Sequence, residues 1–179
     1  MRIISGSAKG RRLKTLSGED VRPTTDKVKE AIFSAIQFDI EGRRFLDLFA
    51  GSGQMGLEAI SRGAQTAVLV DSSQQSVKVC KENADSVGFT DNCRVVCSDA
   101  VSFLNLTDDI FDIAFLDPPY AAGLLEKCLK LVCNRMSEYG TVICEHPKEV
   151  ILPECVGDFK VFKKYRYGKI NVTTYKKDI

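Results

Sequence analysis

Apolar residues recur along this chain with two different periods, and each switch between them marks a boundary between elements. Val28, Ala31, Ile32, Ala35 and Ile36 fall at i, i+3, i+4, i+7 and i+8, which is one face of a helix, with Lys27, Lys29 and Glu30 opposite. Pro23 holds Val21-Arg22 extended ahead of it, and Thr24, Thr25 and Asp26 supply N-cap chemistry. The run Phe45 to Phe49 predicts a strand that stops at Gly51 and Gly53. A helical pattern follows at Met55, Leu57, Ala59 and Ile60, and Arg62-Gly63-Ala64 ends it.

Downstream the alternation continues. Ala67 to Val70 predicts a strand closing on Asp71, Ser72-Ser73 caps a helix reaching about Val87, and Gly88 stops it. Strands follow at 93–96, 111–116 and 141–145, separated by a short helix containing Phe103 and Leu104 and a longer one near 124–136. Two long strands at 159–166 and 169–175 turn at Gly168. The predicted fold is α/β: a doubly wound, mostly parallel, Rossmann-like sheet of seven strands with an antiparallel C-terminal hairpin. Residues 1–15 predict a β-hairpin with a basic tip. Residues 1–25 are thus expected to be a small hairpin extension, and residues 26–179 the main domain.

Composition narrows the class. A chain of 179 residues with 44% apolar and 27% charged residues suits one globular domain. No apolar run approaches the roughly 20 residues of a membrane-spanning helix, and Met1 to Gly6 carries no signal-peptide core. A soluble cytoplasmic monomer is expected. The seven cysteines form no C-x-x-C pair and the single His146 gives them no zinc spacing, so free thiols and no metal are expected. The net charge of +1 hides an asymmetry: residues 1–14 hold five basic residues and residues 159–177 seven, neither segment with an acid. Basic ends on an acidic middle suggest a nucleic-acid partner.

The chemistry lies at strand ends. Asp47, Asp71, Asp99 and Asp117 each close a predicted strand, and in a doubly wound sheet ligands collect there. Gly51, Gly53 and Gly56 allow backbone to approach a ligand, and Asp71 can accept hydrogen bonds from both hydroxyls of a ribose. Asp99 can accept from an adenine amine, with the Ala100 amide at the ring edge. Asp47, four residues before the first glycine, would repel a pyrophosphate, so a cationic nucleoside such as S-adenosylmethionine fits better than a dinucleotide. In Asp117-Pro118-Pro119-Tyr120 the prolines fix the backbone, and the Asp117 carboxylate and Pro118 carbonyl become a rigid pair of acceptors for an amine. Such a clamp favours a pyramidal nitrogen whose lone pair faces a methyl group, and Tyr120 offers a face on which a flipped base can stack. His146 is a lone histidine and is expected to be structural.

Asp47-Leu-Phe-Ala-Gly-Ser-Gly together with Asp117-Pro-Pro-Tyr resembles the class I S-adenosylmethionine-dependent methyltransferases of exocyclic amines. Arg2-Ile-Ile-Ser-Gly-Ser-Ala-Lys-Gly-Arg-Arg-Leu and Arg22-Pro-Thr-Thr-Asp-Lys-Val-Lys-Glu-Ala-Ile-Phe resemble the RsmD family, bacterial methyltransferases of a guanine amine in small-subunit ribosomal RNA. The resemblance covers nearly the whole chain. It implies S-adenosylmethionine as cofactor, S-adenosylhomocysteine as product, and ribosomal RNA or an assembling small subunit as partner. It implies cofactor contacts from Asp47, Phe49, Gly51, Ser52, Gly53, Asp71, Ser72, Asp99 and Ala100, and catalysis at Asp117, Pro118, Pro119 and Tyr120. RNA contacts are implied from Lys9, Arg11, Arg12 and Arg22, with Thr24 and Thr25 beside them. The residues alone leave two competitors, a DNA adenine-amine methyltransferase and a non-catalytic RNA-binding protein on the same scaffold.

Overall fold

The computed structural model describes residues 1–16, 25–119 and 123–177; Arg22, Thr24 and Tyr120, given roles from the sequence, lie outside them. Thr25 caps helix α1 (Asp26–Ala35), its hydroxyl accepting from the Val28 amide. Strand β1 (Arg44–Asp47) passes through the glycine turn into α2 (Gln54–Ser61). Gly53 forms the N-cap at φ +81°, a left-handed conformation natural only to glycine here, because a Cβ would also lie 2.9 Å from Leu69 Cδ1. Strand β2 (Thr66–Asp71), α3 (Gln74–Val87) and β3 (Cys93–Cys97) complete one half of the sheet. The other half holds α4 (Ala100–Leu106), β4 (Phe111–Leu116), α5 (Leu124–Cys133) and β5 (Met136–Pro147). The chain closes with β6 (Cys155–Val156), β7 (Phe159–Tyr167) and β8 (Ile170–Lys177).

These strands join one sheet in the order β3-β2-β1-β4-β5-β8-β7-β6, parallel from β3 through β5 and antiparallel beyond. Among the described residues the sheet has eight strands, not the seven expected. The extra one, β6, is two residues at the edge, too short to show alternation. An apolar layer of α1, α2 and α3 covers one face and a layer of α4 and α5 the other. The doubly wound architecture thus follows from two sets of apolar faces on opposite sides of one sheet.

Two sequence expectations need correction. Met136 belongs to β5, not to the preceding helix: it pairs with Phe111, and the ladder shifts before Ile113 meets Thr141. Exposed Glu138 and Tyr139 lie in the shifted segment, which masks the strand period. Lys29, placed on the outer face of α1, is fully buried. Its ammonium donates to the Arg2 carbonyl at 2.7 Å and lies 3.6 Å from a Glu58 carboxylate that is itself fully buried. The N-terminal hairpin is pinned by one β-bridge among the described residues, Arg2 with Arg12, and its tip is docked on α2.

The docking is dense in hydrogen bonds. Glu58 accepts from the Ile4 and Ser5 amides at 2.8 and 3.0 Å and from Arg62 Nε at 2.7 Å. Ser61 accepts through its carbonyl from the Ser7 amide and through its hydroxyl from the Ala8 amide. Gly6 sits so close that a Cβ would fall 1.7 Å from the Ser61 carbonyl oxygen. Ile3, Ala8 and Leu13 are buried in the same apolar layer as α1 and α2. Farther along, Asn83 on α3 accepts from the Lys14 amide at 2.7 Å and donates to the Lys14 and Ser52 carbonyls.

Candidate active site at the carboxyl ends of the parallel strands

The parallel strands end around a cavity of about 720 Å³ lined from both halves of the sheet. Asp47, Phe49, Gly51, Ser52, Asp71, Ser72, Asp99, Ala100, Asp117, Pro118 and Pro119 all line it. Gly53 does not; it shapes the turn from behind. Met1, Leu16, Thr25 and Val28 form the wall on the N-terminal side.

Each acid arrives by a different local rule. Asp71 at the end of β2 has both oxygens oriented by backbone: Oδ2 accepts from the Gly51 amide at 2.8 Å and Oδ1 from the Ser73 amide at 2.9 Å. Each oxygen keeps lone-pair capacity toward the cavity. Asp99 caps α4 by accepting from the Ser102 amide at 2.9 Å. Hydrogen bonds from Ser102, its side chain first, hold the Asp99 carboxyl below its ordinary value. The capping and ligand readings of Asp99 are therefore compatible, since one oxygen caps while the residue faces the cavity.

Asp47 is 1% exposed and accepts a 3.1 Å hydrogen bond from the Gly56 amide. Burial pushes its carboxyl up to about 7, with the hydrogen bond from Gly56 opposing and the charge of Asp71 adding to the rise. A site that raises a carboxylate this way favours a cation beside it. Asp117 is raised well above the usual carboxylate range by burial, then by Glu145, then by Asp47. Leu116 pairs with Cys144 in the parallel ladder of β4 and β5, so Asp117 and Glu145 follow at the next register position.

Glu145 is buried and lines the cavity, a position not anticipated from the sequence. Its only signal there is its position at the end of a predicted strand. The adjacent His146 does not line the cavity, because successive residues of a strand face opposite ways. Its Nδ1 donates to the Pro147 carbonyl at 2.9 Å, so Nε2 accepts from the Thr173 hydroxyl at 2.9 Å. Burial lowers its pKa, consistent with a neutral structural ring. The cysteines are free, four of them buried, and Cys80 supports the glycine turn by donating to the Gly51 carbonyl.

The basic hairpin residues do not line the cavity. Lys9, Arg11 and Arg12 are exposed on the hairpin; the Arg11 guanidinium donates to the Ser86 carbonyl, and Lys14 pairs with Glu82 at 2.7 Å. The β7–β8 turn, by contrast, reaches the cavity end of the sheet, where Ile170 lines the cavity and the Lys169 carbonyl accepts from the Lys148 amide.

The chain is similar to proteins named as methyltransferases. A family model described as conserved hypothetical protein 95 matches residues 1–176. YlbH of Bacillus subtilis (strain 168), provisionally named an rRNA methyltransferase, is 43% identical over 182 residues and 99% of each chain. Ribosomal RNA small subunit methyltransferase D of Escherichia coli (strain K12) is 32% identical, covering 99% of this chain and 90% of its own. A solved Escherichia coli structure, described provisionally as the methyltransferase yhhF, matches with a TM-score of 0.90 at 31% identity, covering 99% of this chain and 98% of that one. The chain therefore belongs to the family described as conserved hypothetical protein 95, alongside proteins named ribosomal RNA small subunit methyltransferase D.

Proposed function

We propose that this chain methylates the exocyclic 2-amine of a guanine in small-subunit ribosomal RNA, using S-adenosylmethionine. The observation that carries the reading is that the Asp117-Pro118 acceptors open into the same cavity as Asp47, Asp71 and the glycine turn. The donor set suits this cofactor. Asp71 has acceptor capacity left for ribose hydroxyls, Asp99 and the Ala100 amide suit an adenine edge, and buried Asp47 suits a cationic group. Phe49, Ser52 and Ser72 supply walls, and no metal is needed because every holding group is a carboxylate, an amide or an apolar surface. When bound, S-adenosylmethionine supplies an electrophilic methyl group and leaves as S-adenosylhomocysteine.

The chain's own work is positioning. Asp117 and the Pro118 carbonyl accept the two amine hydrogens, which draws the nitrogen lone pair out of conjugation and aims it along the cavity. Pro118 and Pro119 hold these acceptors without reorganisation. Tyr120 supplies the stacking face for the flipped base, and after transfer Asp117 receives the amine proton. Lys9, Arg11, Arg12 and Arg22, with Thr24 and Thr25, grip the phosphate backbone, assisted by the basic β7–β8 turn. The protein works as a cytoplasmic monomer on naked RNA or an assembling subunit.

Mass spectrometry of ribosomal RNA nucleosides from cells with and without the gene tests the reading. Loss of N2-methylguanosine from the small-subunit RNA is expected, and an unchanged nucleoside profile would overturn it.

A further inference from the structure

Of the three nucleobases with an exocyclic amine, only guanine carries a ring N–H next to it. Adenine and cytosine present a bare acceptor nitrogen at that place. Two acceptors side by side therefore match guanine, while an acceptor beside a donor matches the other two. The Asp117-Pro118 clamp alone grips any such amine and does not choose among them.

Glu145 stands where a choice can be made. It is 5% exposed, lines the cavity, and occupies the register position beside Asp117 on the neighbouring parallel strand. Neighbouring strands lie about 4.8 Å apart, and glutamate is one methylene longer than aspartate, so the two carboxyl groups can converge on adjacent atoms of one base edge. We propose that Glu145 accepts the ring N1–H of the target guanine, while Asp117 and Pro118 accept the hydrogens of its 2-amine. This assignment rests on the function proposed above and names what selects its base. The entering guanine brings one hydrogen for Glu145 and two for the Asp117-Pro118 pair. An adenine in the same place would set its N1 lone pair against the Glu145 oxygen.

The test uses two short RNAs that differ only at the target, one with guanine and one with 2-aminopurine, which keeps the 2-amine but has a bare N1. Wild type should prefer guanine by at least about 10²-fold in kcat/KM, because a site built around an N–H rejects its absence strongly. Glu145→Gln, of nearly the same shape, can donate to that bare N1. It should lose guanine turnover and keep or gain 2-aminopurine turnover, reducing the preference by about tenfold or more. Effects of the missing O6 cancel between the two proteins. If both substrates fall in parallel and the preference stays at the wild-type value, Glu145 is merely structural and the proposal is wrong. A tenfold or greater loss of S-adenosylhomocysteine affinity in Glu145→Gln by calorimetry would make Glu145 a cofactor ligand and also overturn it. Failure of the underlying function has a different signature: wild type would methylate neither RNA.

Discussion

Glu58→Ala is the perturbation whose cost the structure defines best. The Glu58 carboxylate, fully buried, accepts from two hairpin amides and from Arg62 Nε, and it faces the fully buried Lys29 ammonium at 3.6 Å. Burial lowers the Lys29 pKa and Glu58 opposes that shift, so Lys29 loses its main support when Glu58 goes. Removing one partner of a buried pair costs about 3–5 kcal/mol, and each amide left without an acceptor adds about 1–3 kcal/mol. These contributions overlap, and a net cost of about 5 kcal/mol is a substantial part of the ~5–15 kcal/mol that holds a domain folded. For a chain of this length the melting temperature should fall by roughly 10–20 °C. The assay is urea and thermal denaturation of wild type, Glu58→Ala and Lys29→Met/Glu58→Leu, the double variant removing both charges and recovering much of the loss. A Glu58→Ala protein melting within about 3 °C of wild type would refute the idea that this buried cluster holds the hairpin in place.

Asp71→Ala should weaken S-adenosylhomocysteine binding by about 2–3 kcal/mol, roughly 30- to 150-fold by calorimetry, and unchanged affinity would count against the ribose role. Asp117→Ala should abolish methyl transfer while cofactor affinity stays nearly intact; near wild-type turnover would defeat the amine clamp. The raised Asp47 carboxyl means that the folded protein holds a proton the unfolded chain has released, so this group's contribution to stability falls as pH rises from about 4 to about 7. Asp117 acts in the same direction, whereas neutral buried His146 makes stability rise with pH until its unfolded form is discharged. Asp47→Asn should therefore lose less stability than wild type across that window in urea denaturation, and parallel curves would contradict the shift. Replacing Lys9, Arg11 and Arg12 with Ala should flatten the log salt dependence of RNA binding by about 0.7–0.9 per lost phosphate contact in a filter-binding series, with cofactor affinity unchanged. An unchanged slope would remove the hairpin from the RNA interface.

The parallel half of the fold is readable in the sequence because each of its elements carries a local signature. β1, β2 and β4 are short runs dominated by apolar residues, and Ser73 and Gly88 bracket α3 with capping chemistry. The strand-end acids are readable for the same reason, since topology alone brings Asp47, Asp71, Asp99 and Asp117 to one rim. What escapes depends on partners distant in sequence. Lys29 looks solvent-facing by period, and only Glu58 and the Arg2 carbonyl explain its burial. Glu145 becomes chemically meaningful only when β5 is laid beside β4, and the hairpin tip only when Gly6 meets Ser61. A shifted ladder hides the start of β5, and a two-residue strand has no period to read.

One amide side chain joins the basic hairpin to the glycine turn. Asn83 grips Lys14 at the base of the basic hairpin and, with its other hydrogen, the Ser52 carbonyl in the glycine turn. If departing RNA pulls the hairpin strand away from α3, Asn83 loses its anchor and the turn around the spent cofactor loses a brace. Release of the two products would then be sequential, RNA first, and the turn would be free to exchange its cofactor only after the RNA has left.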